Sequence, residues 1–211
     1  MAAGPSELAA GLRGVAGSVS TVGTDLDAAR KTLLSELREH ALVIGEVTLS
    51  SGQKASYYVD ARRALLRPPA FRAAGELITA SAQELGADAV GGPATAAIPL
   101  ACAAIAAPSG EDLVGFFVRS ERKEHGLQRW VEGPVSAGAR CLVVEDTVTT
   151  GGSTVKAIER MREEGLEIVG ALSVVDRMAG GAEAISAAAG APYRTLLSIE
   201  ELYPERPDRD R

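Results

Sequence analysis

The chain has 211 residues, a hydrophobic fraction of 46%, a formal net charge of −6 and a pI near 5.1. That length is enough for one sizeable domain with a full core, and the acidic balance excludes a protein that grips nucleic acid through a basic face. The two cysteines and two histidines lie too far apart to form a zinc pattern.

Residues 1–24 are rich in Ala, Gly and Ser and read as a flexible extension without the charge and apolar pattern of a secretory signal. No apolar stretch reaches transmembrane length. A cytoplasmic protein with no membrane partner is therefore expected. A helix is predicted from about Asp25, capped by Thr24, with Leu26, Ala29, Leu33, Leu34 and Leu37 at helical spacing. Val43 to Arg62 reads as two strands around Ser50-Ser51-Gly52-Gln53, the second limb being Ser56-Tyr57-Tyr58-Val59-Asp60.

A helix follows over about Pro69–Leu85, with prolines at its start where a missing N–H costs little. Next come a strand at Ala87–Gly91, a Gly-Gly-Pro turn, an apolar helix over about Ala96–Ala106 and a strand at Leu113–Arg119. Residues 120–134 are polar and unpatterned and are predicted to form a long mobile loop. A strand at Ala139–Glu145, a helix at Gly152–Glu164, a strand at Glu167–Asp176, a short helix at Ala182–Ala189 and a strand at Tyr193–Ser198 complete the pattern. Alternation of this kind predicts an α/β fold with a parallel sheet. The single domain spans 25–204, and 205–211 is expected to be a loose tail. Cys102 and Cys141 both lie in apolar runs and read as small buried hydrophobes.

The densest signal is Cys141 to Thr154, C-L-V-V-E-D-T-V-T-T-G-G-S-T. An apolar strand ends in Glu145 and Asp146, and a loop of hydroxyl and glycine residues leads into a helix. The carboxylates suit sugar hydroxyls or a metal, and the glycine loop and helix N-terminus suit a phosphate. A sugar phosphate satisfies both. Neither a P-loop nor a dinucleotide fingerprint is present. Parallel sheets bind ligands beyond the carboxyl ends of their strands, and Gly92–Thr95, the loop after Arg119 and Glu145-Asp146 all fall at such ends.

Val143 to Ser153 resembles the phosphoribosyl-diphosphate motif of the type I phosphoribosyltransferases. Three more segments resemble the orotate-specific members of that family. They are Leu49–Gly52 with Ser56–Asp60, Phe117–Arg119 with Lys123, His125 and Gly126, and Val175–Arg177. The resemblance runs from about Leu33 to Tyr203 in order and spacing. It implies a small N-terminal hood over 25–66 and a catalytic loop within 120–134 that reaches across a homodimer. It also implies transfer of ribose 5-phosphate from 5-phosphoribosyl 1-diphosphate to orotate, giving orotidine 5′-phosphate on the route to UMP.

The resemblance implies roles residue by residue. Glu145 and Asp146 hold the ribose hydroxyls. Thr147, Val148, Thr149, Thr150, Gly151, Gly152 and Ser153 wrap the 5′-phosphate, and Thr149 also touches orotate. Tyr58 and Val59 present backbone groups to the orotate ring, and Arg177 pairs with its carboxylate. Arg119, Lys123 and His125 gather around the diphosphate, with Lys123, His125 and Asp146 as the catalytic set. Mg²⁺ is held mainly through the donor, and no protein metal-ligand set is implied.

Three positions depart from the family pattern. Ser50, the Thr95-Ala96 pair and Ser120 stand where lysines are common. Lys54 and Arg122 are near enough in sequence to compensate in part, and backbone N–H groups at 92–96 can cradle phosphate without a side chain. Arg122 and Arg129 read equally well as solvated cations. Trp130 is expected to pack the loop's hinge. Two alternatives remain: transfer to another base, and a non-catalytic sensor of the donor on the same fold. A purine has no carboxylate for Arg177, whereas the missing lysines favour the sensor.

Overall fold

The computed structural model describes residues 25–48, 54–122 and 129–209. The predicted N-terminal extension, the turn at Ser50–Gln53 with the departure at Ser50, and the loop residues Lys123 and His125 lie outside them. Helix α1 (Leu26–His40) is capped by Asp25, whose Oδ1 accepts the Ala28 N–H at 3.0 Å, in the role predicted for Thr24. Its Leu33 and Leu37, four apart on one face, are fully buried. Strands β1 (Leu42–Thr48) and β2 (Lys54–Val59) form an antiparallel pair. Together with α1 and the short helix α2 (Arg62–Leu65) they occupy the span 25–66, for which a hood is the expectation.

The remaining elements alternate. They are α3 (Pro68–Leu85), β3 (Ala89–Pro93), α4 (Ala97–Ala106), β4 (Val114–Val118), β5 (Val131–Glu132), β6 (Arg140–Val148), α5 (Gly152–Glu163), β7 (Glu167–Asp176), α6 (Gly181–Ala189), β8 (Tyr193–Ser198) and α7 (Ile199–Leu202). The larger sheet has the order β5-β4-β3-β6-β7-β8 and is parallel except for β5. The α/β parallel architecture is as predicted. The short α2 and β5 were not, and β6 runs three residues beyond its expected end at Glu145.

Helices cover both faces of this sheet, which explains why β6 is a continuous apolar run rather than an alternating one. Leu142 and Val144 face a core shared with α1, α3 and α4, whereas Cys141 and Val143 face one shared with α5 and α6. Gly92 lets β3 lie close to β6, because a Cβ there would sit 2.2 Å from the Val144 carbonyl oxygen. One expectation about the cysteines fails. Cys141 is buried, but Cys102 is exposed on the outer side of α4.

The C-terminal segment is not a loose tail over its described length. Arg206 has only 9% of its side chain exposed and lies 3.4 Å from Asp208, while the Tyr57 hydroxyl reaches Asp208 at 3.0 Å. The composition of 205–211 is that of a solvated strand end, but a hood residue far away in sequence supplies its partner.

Candidate active site

The sheet order sets the position of the site. From β3 the chain moves outward to β4, and from the adjacent β6 it moves the opposite way to β7. The loops after β3 and β6 therefore diverge and leave a crevice at the carboxyl ends of the strands.

Residues alternate along β6, so adjacent carboxylates cannot face the same way. Glu145 follows Cys141 and Val143 onto the α5 side. It is 5% exposed, and its Oε2 accepts hydrogen bonds from the Ser153 and Thr154 hydroxyls at 3.0 and 3.1 Å. Burial, and then the charge of Asp146, push the Glu145 pKa up to about 7 against the two hydroxyl donors. Asp146 faces the crevice. Burial raises its pKa, the Thr147 N–H bonded to its Oδ1 at 2.6 Å lowers it, and the Arg62 charge lowers it further.

The loop after β6 turns at Gly151, where φ is +77° and a Cβ would meet Ile185 at 2.9 Å. No side chain caps the N-terminus of the 12-residue α5 that follows. Its first amides and its dipole are thus available to an anion. The Thr147 hydroxyl is buried without a hydrogen-bond partner among the described residues. A buried orphan hydroxyl at a crevice suits a polar ligand.

A cavity of about 280 Å³ occupies the crevice. Asp146, Thr147 and Thr149 line one side and Ala96 the loop after β3, a loop that contains a cis peptide between Ala94 and Thr95. The hood contributes Tyr58, Val59, Asp60 and Arg62. Arg177, just past β7, completes the wall, and its N–H donates to the Val148 carbonyl at 2.8 Å. The family motif and two of the three orotate-specific segments therefore meet at one cavity.

Some predicted residues stand elsewhere. Glu145 points away from the cavity, Val148 is buried, and Thr150, Gly151, Gly152 and Ser153 form the turn and helix start behind it. Ser153 lines a neighbouring cleft of about 360 Å³ with Ser120, Lys156 and Arg160. Arg119 sits at the loop base, with its Nε donating to the Glu121 carbonyl at 3.3 Å and its guanidinium 3.6 Å from Glu132. Neither expected compensating cation reaches the cavity. Lys54 pairs with Glu46 at 2.8 Å, and Arg122 pairs with Glu163 at 3.2 Å.

A larger recess, about 440 Å³, includes Arg122, Arg129, Glu163 and Glu164. It lacks Asp146 and both phosphate-type loops, so its size does not make it the site. Trp130 is anchored beside that recess. Arg160 stacks 4.1 Å from its ring, its indole N–H donates to Glu163 at 2.8 Å, and its backbone N–H donates to Glu164.

The sequence reading missed Arg62 and the role of Asp60 beside it. Arg62 Nε donates to Asp60 Oδ1 at 3.1 Å, and Arg62 is the only cation besides Arg177 on the cavity wall among the described residues. The available signal was the D-x-R spacing directly after the recognised Tyr58-Val59 pair.

Comparison with known proteins agrees with this geometry. The model of the phosphoribosyl transferase domain matches residues 63–188. An orotate phosphoribosyltransferase of Corynebacterium glutamicum is 49% identical over 174 residues, covering 82% of this chain and 94% of the relative. The crystal structure of the Mycobacterium tuberculosis orotate phosphoribosyltransferase aligns with TM-score 0.76 and 43% identity, over 83% of this chain and 99% of that one. The same enzyme in complex with 5-phospho-α-D-ribosyl 1-diphosphate aligns with TM-score 0.71 and 38% identity over 82% and 98%. A phosphoribosyl transferase domain over most of the chain, near-complete coverage of these relatives and a switch-point cavity carrying the family's motif place the chain among the orotate phosphoribosyltransferases.

Proposed function

We propose that the protein transfers the 5-phosphoribosyl group from 5-phosphoribosyl 1-diphosphate to orotate, releasing diphosphate and orotidine 5′-phosphate in de novo UMP synthesis. The observation that carries this reading is the cavity itself, where an arginine fit to bind a carboxylate faces an acidic, hydroxyl-rich loop that opens a helix. Asp146 accepts hydrogen bonds from the ribose hydroxyls, and the orphan hydroxyl of Thr147 gains its partner from the donor. The loop from Thr149 to Ser153 and the α5 N-terminus hold the 5′-phosphate. Glu145 supports that loop from behind through Ser153 and Thr154. Arg177 pairs with the orotate carboxylate, a task suited to the planar fork of a guanidinium. Tyr58 and Val59 border the orotate ring.

In the reaction the bond between the ribose anomeric carbon and the diphosphate oxygen breaks as the orotate ring nitrogen bonds to that carbon. The electron pair leaves with diphosphate, and positive charge develops on the sugar ring. The protein's task is to stabilise the departing anion and exclude water. Arg62 supplies the fixed cation near Ala96, where the family commonly has a lysine, and backbone N–H groups of the loop after β3 assist. Arg119, with Lys123 and His125 of the loop, completes the diphosphate end. His125 donates a hydrogen bond there and is not an essential base.

Mg²⁺ fits the same site. Among the described residues no group of three or more His, Cys, Asp and Glu side chains could cage a metal, but Asp60 and Asp146 offer hard oxygen ligands on the cavity wall. Donor oxygens would supply the remaining positions, and the ion would neutralise diphosphate charge. We further propose a homodimer in which the loop serves the partner's site, and a cytoplasmic location. No described helix is long and apolar enough to cross a membrane.

The test is direct. Purified protein with donor, Mg²⁺ and orotate is expected to consume orotate, followed by loss of its absorbance. Turnover only with a purine would overturn the acceptor assignment, and donor binding without turnover of any base would make the protein a sensor.

A further inference from the structure

Arg177 does not stand alone at the acceptor end. Its Nη2 donates to the Tyr57 hydroxyl oxygen at 3.0 Å, and its guanidinium carbon lies 5.0 Å from the Tyr57 ring centroid. That hydroxyl donates its own proton to Asp208, with Oδ2 at 3.0 Å and Oδ1 at 3.2 Å. Tyr57 is 3% exposed, and its ring packs edge-on against Tyr203 at 5.4 Å. Arg206 lies nearly buried between Glu200 at 3.6 Å and Asp208 at 3.4 Å and holds the carboxylate in place. The turn after α7 is closed by the Arg206 N–H donating to the Tyr203 carbonyl. A continuous polar chain thus runs from Arg206 through Asp208 and Tyr57 to Arg177.

We propose that Asp208 and Tyr57 are positioning residues for Arg177, so that the last residues of the chain tune recognition of the acceptor's carboxylate. The inference rests on the reading of Arg177 as the orotate receptor. A phenol has one proton to give and lone pairs to accept with. Asp208 takes the proton, so the lone pairs must face the Arg177 N–H. One donor of the guanidinium is then committed, and the stacked ring fixes its plane. Its other donors point to a defined place, which a bidentate carboxylate pair requires. Without Asp208 the phenol proton is free to turn toward Arg177, where it opposes the guanidinium's own donors.

Orotate and donor KM would be measured for wild type, Tyr57→Phe, Asp208→Ala, Asp208→Glu and the Tyr57→Phe/Asp208→Ala double variant, with the Tm of each. Tyr57→Phe keeps the ring and its packing. Each of the first two variants is expected to raise the orotate KM about tenfold, the loss of one charge-assisted hydrogen bond. The donor KM should stay within about twofold. Because the groups act in series, the double variant should be no worse than the poorer single one. Asp208→Glu should restore part of the affinity. Wild-type protein that fails to consume orotate would overturn the acceptor assignment and the relay's purpose with it. An active wild type whose orotate KM is unmoved in both variants, or moves equally with the donor KM, would overturn the relay alone.

Discussion

Arg62 illustrates how a single side chain can be ambiguous by chemistry and settled by place. It sits between two carboxylates, bonded to Asp60 at 3.1 Å and near enough to Asp146 that each shifts the other's titration. Half its side chain remains exposed. That exposure makes the Asp60 pair worth little to stability, yet it leaves the guanidinium edge open toward the cavity. With Ala96 and Ser120 at two expected lysine positions, Arg62 is the cavity cation we propose to meet the departing diphosphate. Arg62→Ala should therefore raise the donor KM by roughly tenfold to a hundredfold, the range of a lost hydrogen bond to a charged group. It should lower Tm by no more than about 2 °C. Arg62→Lys should recover part of the affinity, since it keeps the charge but not the fork. Steady-state titration of both substrates decides this, and an unchanged donor KM would reduce Arg62 to a support for Asp60.

The β6–α5 unit brings strand alternation and helix electrostatics into one short segment. It needs a left-handed residue between its phosphate loop and its helix, and Gly151 provides it at φ +77°. Alanine there meets Ile185 at 2.9 Å and the Gly181 carbonyl at 3.0 Å, besides the backbone strain. Gly151→Ala is expected to cost about 1–3 kcal/mol of stability and to weaken donor binding with it, because the loop and the helix start move together. Calorimetry with and without donor checks both. This unit was legible in the sequence because each of its parts is local: an apolar run, a glycine turn and a helical period. Alternation along β6 even carried the information that Glu145 and Asp146 face opposite ways. What escaped was short or distant. α2 and β5 have four and two residues, too few to show a period. The Tyr57–Asp208 bond joins positions 151 residues apart, and no local pattern could announce it. That Trp130 packs rather than faces solvent was anticipated from a lone aromatic at the loop's end, but its carboxylate partners Glu163 and Glu164 were not, because a helix end rich in Glu usually faces water.

At the scale of the whole molecule, the site places a cost on the fold. Glu145 lies in the sheet's covered interior with its pKa pushed up to about 7, against an ordinary value of 4.5. The folded chain therefore binds that proton more tightly than the unfolded chain does. Stability from this group is fullest below the ordinary carboxylate range. It declines as pH rises from about 4.5 to about 7 and is level above that. The direction is opposite to that of Glu201, where burial raises the pKa but the Ser198 N–H and Arg30 together outweigh it and lower the pKa, so that its contribution is lost only on acidification. The two windows do not overlap, so the slope between pH 5 and 7 reports the site. Its size is on the order of 3 kcal/mol for a group this buried. Glu145→Gln keeps the shape and an acceptor for Ser153 and Thr154 while removing the charge. It should flatten the pH dependence of urea unfolding between pH 5 and 8 and leave the variant more stable than wild type at pH 8. A wild-type stability curve flat across that window would mean that Glu145 is ionised at no cost and that the fold does not bear the site's charge.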